Sequence, residues 1–199
     1  MPMRKISGYW IGLGMRFFVL LLMAGLGFAA EWKLGPAAGN TVDLYVDKTG
    51  LMAGKRHWFR FPEFTGTVRT EPGRVEIEFA VGAMQCFDTW LSAKDQKKVL
   101  EYALGKETLD AARYRAVRFV STGVAGEQVT GTLTIRGVSR PVTVTVTQAG
   151  EGRYEGSAVF KMTDFGIKPA KAALGAVGTR EEMTLRFQLQ GLRQATPVP

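Results

Sequence analysis

From Gly131 to Val146 the chain reads Gly-Thr-Leu-Thr-Ile-Arg-Gly-Val-Ser-Arg-Pro-Val-Thr-Val-Thr-Val. Leu133 and Ile135, then Val142, Val144 and Val146, fall on one face of an extended chain, and the intervening threonines fall on the other. A helix would scatter these residues around its surface. The segment therefore predicts a β-hairpin with one dry face, its strands joined by a short connection at Arg136–Arg140.

The same two-residue period recurs along the chain. Val75, Ile77, Phe79 and Val81 alternate with Arg74, Glu76, Glu78 and Ala80, and Met183, Leu185, Phe187 and Leu189 alternate with Thr184, Arg186, Gln188 and Gln190. Further strands are expected over residues 42–47, 56–61, 65–70, 118–122 and 153–161, with 84–90 continuing or bending the strand that ends near Gly82. One helix is expected to begin at Ser92, an N-cap with Asp95 three residues on, and to end at Gly105; a short helical turn is expected over 108–112. A long loop is expected from Asp164 to Thr179. The pattern implies an all-β antiparallel sandwich or barrel of about eight strands with one helix. A barrel of that size can hold one small ligand, but the same inward Phe, Met and Leu residues would equally serve a packed core.

Arg4, Lys5 and Arg16 precede an apolar run from Phe17 to Phe28 that ends in small residues, and Gly27 and Ala29 suit a cleavage site. The run is shorter than the roughly 20 residues of a spanning helix, so residues 1–29 are expected to be a cleaved secretory signal peptide. Met15 would serve equally as a translation start. The remainder, 30–192, is expected to form one domain, followed by a flexible tail at 193–199. No acidic residue lies before Glu31, so loss of the three leader cations takes the formal charge from +8 to +5. Its Lys and Arg are scattered, which assists encounter with anionic membrane surfaces without specifying nucleic acid. Neither monomer nor dimer is selected by these residues.

Cys86 is the single cysteine, so no internal disulfide stabilises the fold in an oxidising compartment. At the end of an apolar stretch it is expected to behave as a buried hydrophobe. The single histidine, His57, lacks the partners that zinc or general-base chemistry requires and is expected to be a surface or loop-packing residue, although with Lys55 and Arg56 it could meet an anionic head group. There is no Gly-x-Ser-x-Gly elbow, and Asp164-Phe165-Gly166 lacks the loops that accompany it in kinases. No catalytic residues, metal or cofactor are expected.

Trp32 and Leu34, the strand at Val42–Val46, Gly66, Leu109-Asp110-Ala111 leading to Tyr114 and Arg118-Phe119, the Leu133–Val142 hairpin, and Thr163-Asp164-Phe165-Gly166-Ile167 together resemble the YceI-like family across nearly the whole mature chain. The resemblance implies a lipocalin-like antiparallel barrel capped by the helix, located in the periplasm, whose lumen holds a polyisoprenoid or other long apolar chain. Two features depart from the family pattern: Met162 stands where Arg is common, and residues 50–58 form an insertion. The lumen candidates are Phe79, Val81, Met84, Phe119, Leu133, Val144, Phe160 and Phe187, each equally suited to a filled core. A packed barrel that binds a protein partner, through the loop carrying Lys168 and Lys171, is the alternative.

Overall fold

The alternating segments form one continuous antiparallel sheet. The computed structural model describes residues 30–194; the expected leader and the stretch from Ala195 onward lie outside the described residues. The strands are β1 (Glu31–Leu34), β2 (Thr41–Gly50), β3 (Arg56–Arg60), β4 (Phe64–Arg69), β5 (Arg74–Ala80), β6 (Gln85–Cys86), β7 (Ala116–Ala125), β8 (Gln128–Ile135), β9 (Val138–Gly150), β10 (Arg153–Lys161), β11 (Lys171–Ala172), β12 (Val177–Gln190) and β13 (Leu192–Arg193). The helix, α1, spans Ala93–Leu104.

Thirteen strands among the described residues replace the expected eight or so. The excess consists of β1, β6, β11 and β13, which run two to four residues, too short for alternation to register. The expected continuation through 84–90 is instead a 3-10 turn at Val81–Ala83 and the two-residue β6, and 108–112 forms turns without a helix. β12 begins at Val177, inside the expected loop, because Gly178 and Thr179 pair with Thr49 and Lys48 of β2. β13 carries pairing to Arg193, one residue into the expected tail.

The sheet order is β13-β1-β4-β5-β7-β8-β9-β10-β12-β2-β3-β6, with β11 attached to β12. The whole is a curled antiparallel half-barrel in place of a regular eight-stranded barrel, and β13, which continues β12 past Gly191, pairs with β1 so that the sheet curls back on itself at that end. Asn40 holds the corner where β12 leaves β2. Its amide nitrogen donates to the carbonyls of Gly35 and Gln190, at 2.8 and 3.1 Å, and its Oδ1 accepts from the Gln190 N–H at 2.7 Å. Trp32 covers the seam. Its ring lies so close over Gly152 that a Cβ there would stand 2.4 Å from it.

The β8–β9 hairpin turns on Arg136 and Gly137 alone, with Ile135 paired to Val138. Both turn residues have positive φ, 52° and 74°, the twist of a two-residue type I′ turn. The connection is thus shorter than the sequence suggests, and Val138, Ser139 and Arg140 belong to the strand. Arg136 reaches from this turn to the carbonyls of Lys106 and Glu107, tying the hairpin to the chain just after α1.

Ser92 caps α1, its Oγ accepting from the Asp95 N–H at 3.2 Å and donating to the Asp95 carboxylate at 2.7 Å. Val99, Leu100, Ala103 and Leu104 turn inward against the sheet. The helix thereby closes the end of the half-barrel opposite the β4–β5 and β7–β8 turns.

Candidate ligand-binding cavities

Two cavities occupy the inner face of the sheet. The first, about 400 Å³, lies at the end carrying the β4–β5 and β7–β8 turns. Ile77 and Phe79 of β5, Phe119 of β7, and Val129 and Leu133 of β8 form one wall. Val142, Val144 and Val146 of β9, Phe160 of β10, and Leu185, Phe187 and Leu189 of β12 form the other. The inward residues of each strand are spaced by two, so burial of one face creates the lining directly.

One glycine shapes each of these walls. A Cβ at Gly131 would lie 2.4 Å from the Phe119 ring, and one at Gly156 would lie 2.6 Å from the Phe187 ring, so each ring packs directly against bare backbone. Polar groups gather near the turns, where Arg69 and Arg74 also line the cavity and are paired to Glu31 and Glu76, both at 2.7 Å. The Tyr154 hydroxyl is buried without a hydrogen-bond partner, and burial raises its pKa above the usual phenol value. It is a donor left available to a ligand oxygen in an otherwise apolar space.

The second cavity, about 470 Å³, lies at the helix end. Leu44 and Val46 of β2, Phe59 of β3, Met84, Val99 and Ala103 of α1, and Met183 of β12 supply its apolar wall. Its charged lining is of one sign, Lys48, Lys98, Lys168 and Lys171 with no Asp or Glu, and the His57 ring lies among them. Burial lowers the Lys48 pKa from its ordinary value, opposed by the nearby Asp88 carboxylate.

Six of the eight lumen candidates, Phe79, Phe119, Leu133, Val144, Phe160 and Phe187, line the first cavity, and Met84 lines the second. Val81 lines neither. It is 1 % exposed, inside the 3-10 turn through which the chain passes from Phe79 at one cavity to Met84 at the other, and is therefore core and not lumen.

His57 is not the surface or loop-packing residue its neighbours suggest. It lies buried on β3, with Nδ1 2.5 Å from the Asp88 carboxylate, while the other carboxylate oxygen accepts the Trp58 N–H at 2.6 Å. That leaves Nε2 as the ring nitrogen without a hydrogen bond among the described residues, and the ring lines the cavity. Sequence reasoning singled out His57 but missed its burial and its partner Asp88, yet a signal for the burial was present: His57 shares strand parity with Phe59 and Phe61, which are buried. Cys86, expected to be buried, is only half-buried opposite Phe59, and desolvation pushes its thiol up to about 11.

The model of the YceI-like domain matches residues 32–191. A UPF0312 protein of Pseudomonas syringae pv. syringae (strain B728a) is 33% identical over 191 residues, covering 87% of this chain and 92% of that protein. One from Pseudomonas putida (strain W619) is 28% identical over the same length and coverage. Among solved structures, Burkholderia cenocepacia BcnA matches with a TM-score of 0.53 at 22% identity, over 74% of this chain and 94% of that one. A Campylobacter jejuni YCEI protein matches at 0.51 and 13% identity, over 69% of this chain and 85% of that one. The family model spans both cavities, the hairpin and the helix that closes one end, so the chain belongs to the YceI-like family.

Proposed function

We propose that the protein sequesters or carries a long apolar lipid, of polyisoprenoid or fatty type, within its lumen, without turnover, in the periplasm. The observation that carries this reading is the pair of cavities on one inner face, lined by successive inward residues of the same strands. On β12, Leu189 lines the first cavity and Val177 the second. Twelve residues at about 3.3 Å each, tilted by about 40°, give a lumen of about 30 Å. That suits an extended chain better than a compact metabolite.

Burying hydrocarbon releases roughly 0.8 kcal/mol per methylene. A chain of about thirty carbons therefore gains roughly 24 kcal/mol, above association costs of roughly 4–15 kcal/mol. The polar groups identified above then select the head group. The rival reading, a solid barrel that acts only as a protein partner, is disfavoured by voids of this size in place of a filled core.

Native mass spectrometry of protein exported to the periplasm, followed by organic extraction, tests the proposal. A stoichiometric isoprenoid or fatty adduct is expected. A clean apo mass that stays unchanged after incubation with polyprenyl and quinone lipids would overturn it.

A further inference from the structure

The two ends of the lumen differ in how they meet solvent. At the first cavity the lining arginines are already neutralised by Glu31 and Glu76. At the second, Lys48, Lys168 and Lys171 make no ion pair among the described residues, and of the lining lysines only Lys98 has a partner, Asp95 at 3.0 Å. Three acids near this end are engaged elsewhere, Asp47 with Arg56, Asp88 with His57 and Glu181 with Lys161, whereas Asp164, in the turn Met162–Phe165, makes no ion pair among the described residues.

Large apolar side chains gather at the same end. Leu51 is 82% exposed in the β2–β3 turn, Leu174 is fully exposed in the loop before β12, and Tyr102 of α1 is 54% exposed beside the mouth. The two loops are joined, since the Leu51 N–H donates to the Ala176 carbonyl at 2.9 Å. Ala173 and Leu174 both adopt left-handed backbone, φ 49° and 55°, a conformation that L side chains disfavour. Leu174 is thus held outward, where water offers it nothing. By contrast Val124, Val159 and Leu192, the remaining exposed large apolar residues among those described, are scattered over other strands.

Exposed leucines and a tyrosine amid unpaired lysines are the chemistry of an interfacial anchor. The apolar groups enter the headgroup layer while the ammonium groups meet anionic lipid. We propose that the helix end is a docking surface for an anionic phospholipid bilayer, which Leu51, Leu174 and Tyr102 enter while Lys48, Lys168 and Lys171 neutralise lipid charge, setting the mouth of the second cavity against the membrane. This inference rests on the lipid-carrier reading and adds where cargo enters and leaves.

The test is co-sedimentation of exported protein, its N-terminus established by intact mass, with two kinds of vesicle. One is phosphatidylcholine alone; the other is phosphatidylcholine mixed with phosphatidylglycerol. Wild type is expected to partition onto the anionic vesicles and to be released by high salt. Leu51→Ser with Leu174→Ser, and separately Lys168→Gln with Lys171→Gln, each lower that partition by at least about tenfold. Arg153→Gln with Arg193→Gln, at the opposite end and outside both cavity linings, leaves it unchanged. Equal partition onto both vesicle types, no partition of wild type, or indifference to the helix-end substitutions would overturn the inference. Lipid content after extraction keeps the two proposals apart: a lipid-loaded protein that ignores anionic vesicles defeats the docking surface alone, whereas a lipid-free protein defeats the carrier reading.

Discussion

Leu44 on β2 stands directly opposite Leu185 on β12, yet the two side chains line different cavities. The neighbouring pairs sort the same way. Val42 and Phe187 both face the first cavity, while Val46 and Met183 both face the second. The boundary between the cavities therefore runs through a single cross-strand pair, with no inward residue left over to form a separate wall on these two strands. A ligand long enough to fill both must pass this pair.

Leu185→Trp places an indole at that boundary. Chains short enough to sit in one cavity are expected to keep their affinity, whereas chains that need both lose at least about tenfold. The stability cost is at most about 1–3 kcal/mol, since the added volume enters void instead of packed core. Titration with a homologous series of fatty or polyprenyl chains checks this; a uniform loss at every chain length would mean that the cavities bind independently.

Gly131→Ala and Gly156→Ala probe the two walls of the first cavity, one each. Each added methyl collides with a ring, Phe119 or Phe187, and with a backbone carbonyl that cannot yield, that of Val120 at 2.6 Å for Gly131 and that of Thr145 at 2.2 Å for Gly156. Both substitutions are expected to destabilise by about 1–3 kcal/mol, Gly156→Ala by more, and to shrink the first cavity as the rings swing inward. Urea denaturation with and without a bound long-chain lipid measures both effects.

The Asp88 carboxylate accepts the Trp58 N–H and holds His57, and its side chain is fully buried. Asp88→Ala leaves a buried amide and an imidazole without their acceptor, at an expected cost of about 3 kcal/mol. Asp88→Asn, which keeps one acceptor oxygen, is expected to lose less. If the alanine and asparagine variants unfold at the same urea concentration, the carboxylate's charge and not its acceptor geometry sustains the site.

The nine long strands and the cap of α1 are legible because each rests on a local pattern: alternation over five or more residues, or Ser92 with Asp95 at cap spacing. The first cavity is legible for the same reason, since parity alone puts Phe79, Phe119, Phe160 and Phe187 on the inner face. The second is not. Its lining comes from β2, α1 and the segment from Ile167 to Thr179, brought together by pairing between Thr49 and Gly178, residues far apart in sequence. Val81 has the right parity and the wrong role, because the 3-10 turn at Val81–Ala83 ends the pleat on which parity depends. The pairing of His57 with Asp88 likewise spans 31 positions and has no spacing signature.

Cys86 yields a prediction in pH. Desolvation raises its thiol from an ordinary value of 9.0 to about 11, so the folded protein favours the neutral thiol. At pH 8 the thiolate fraction is then about a hundredfold below that of the unfolded chain, and alkylation by iodoacetamide should be slower by a similar factor. The linkage has a definite sign. A pKa raised by folding contributes stability that is fully present below the unfolded value and is lost as pH climbs from 9.0 through about 11. Cys86→Ser, whose hydroxyl does not ionise in this range, is expected to flatten that part of the stability profile. Alkylation of folded protein at the rate of the urea-unfolded chain at pH 8 would show the thiol to be solvated, and the edge pairing of β6 with β3 to be open in solution.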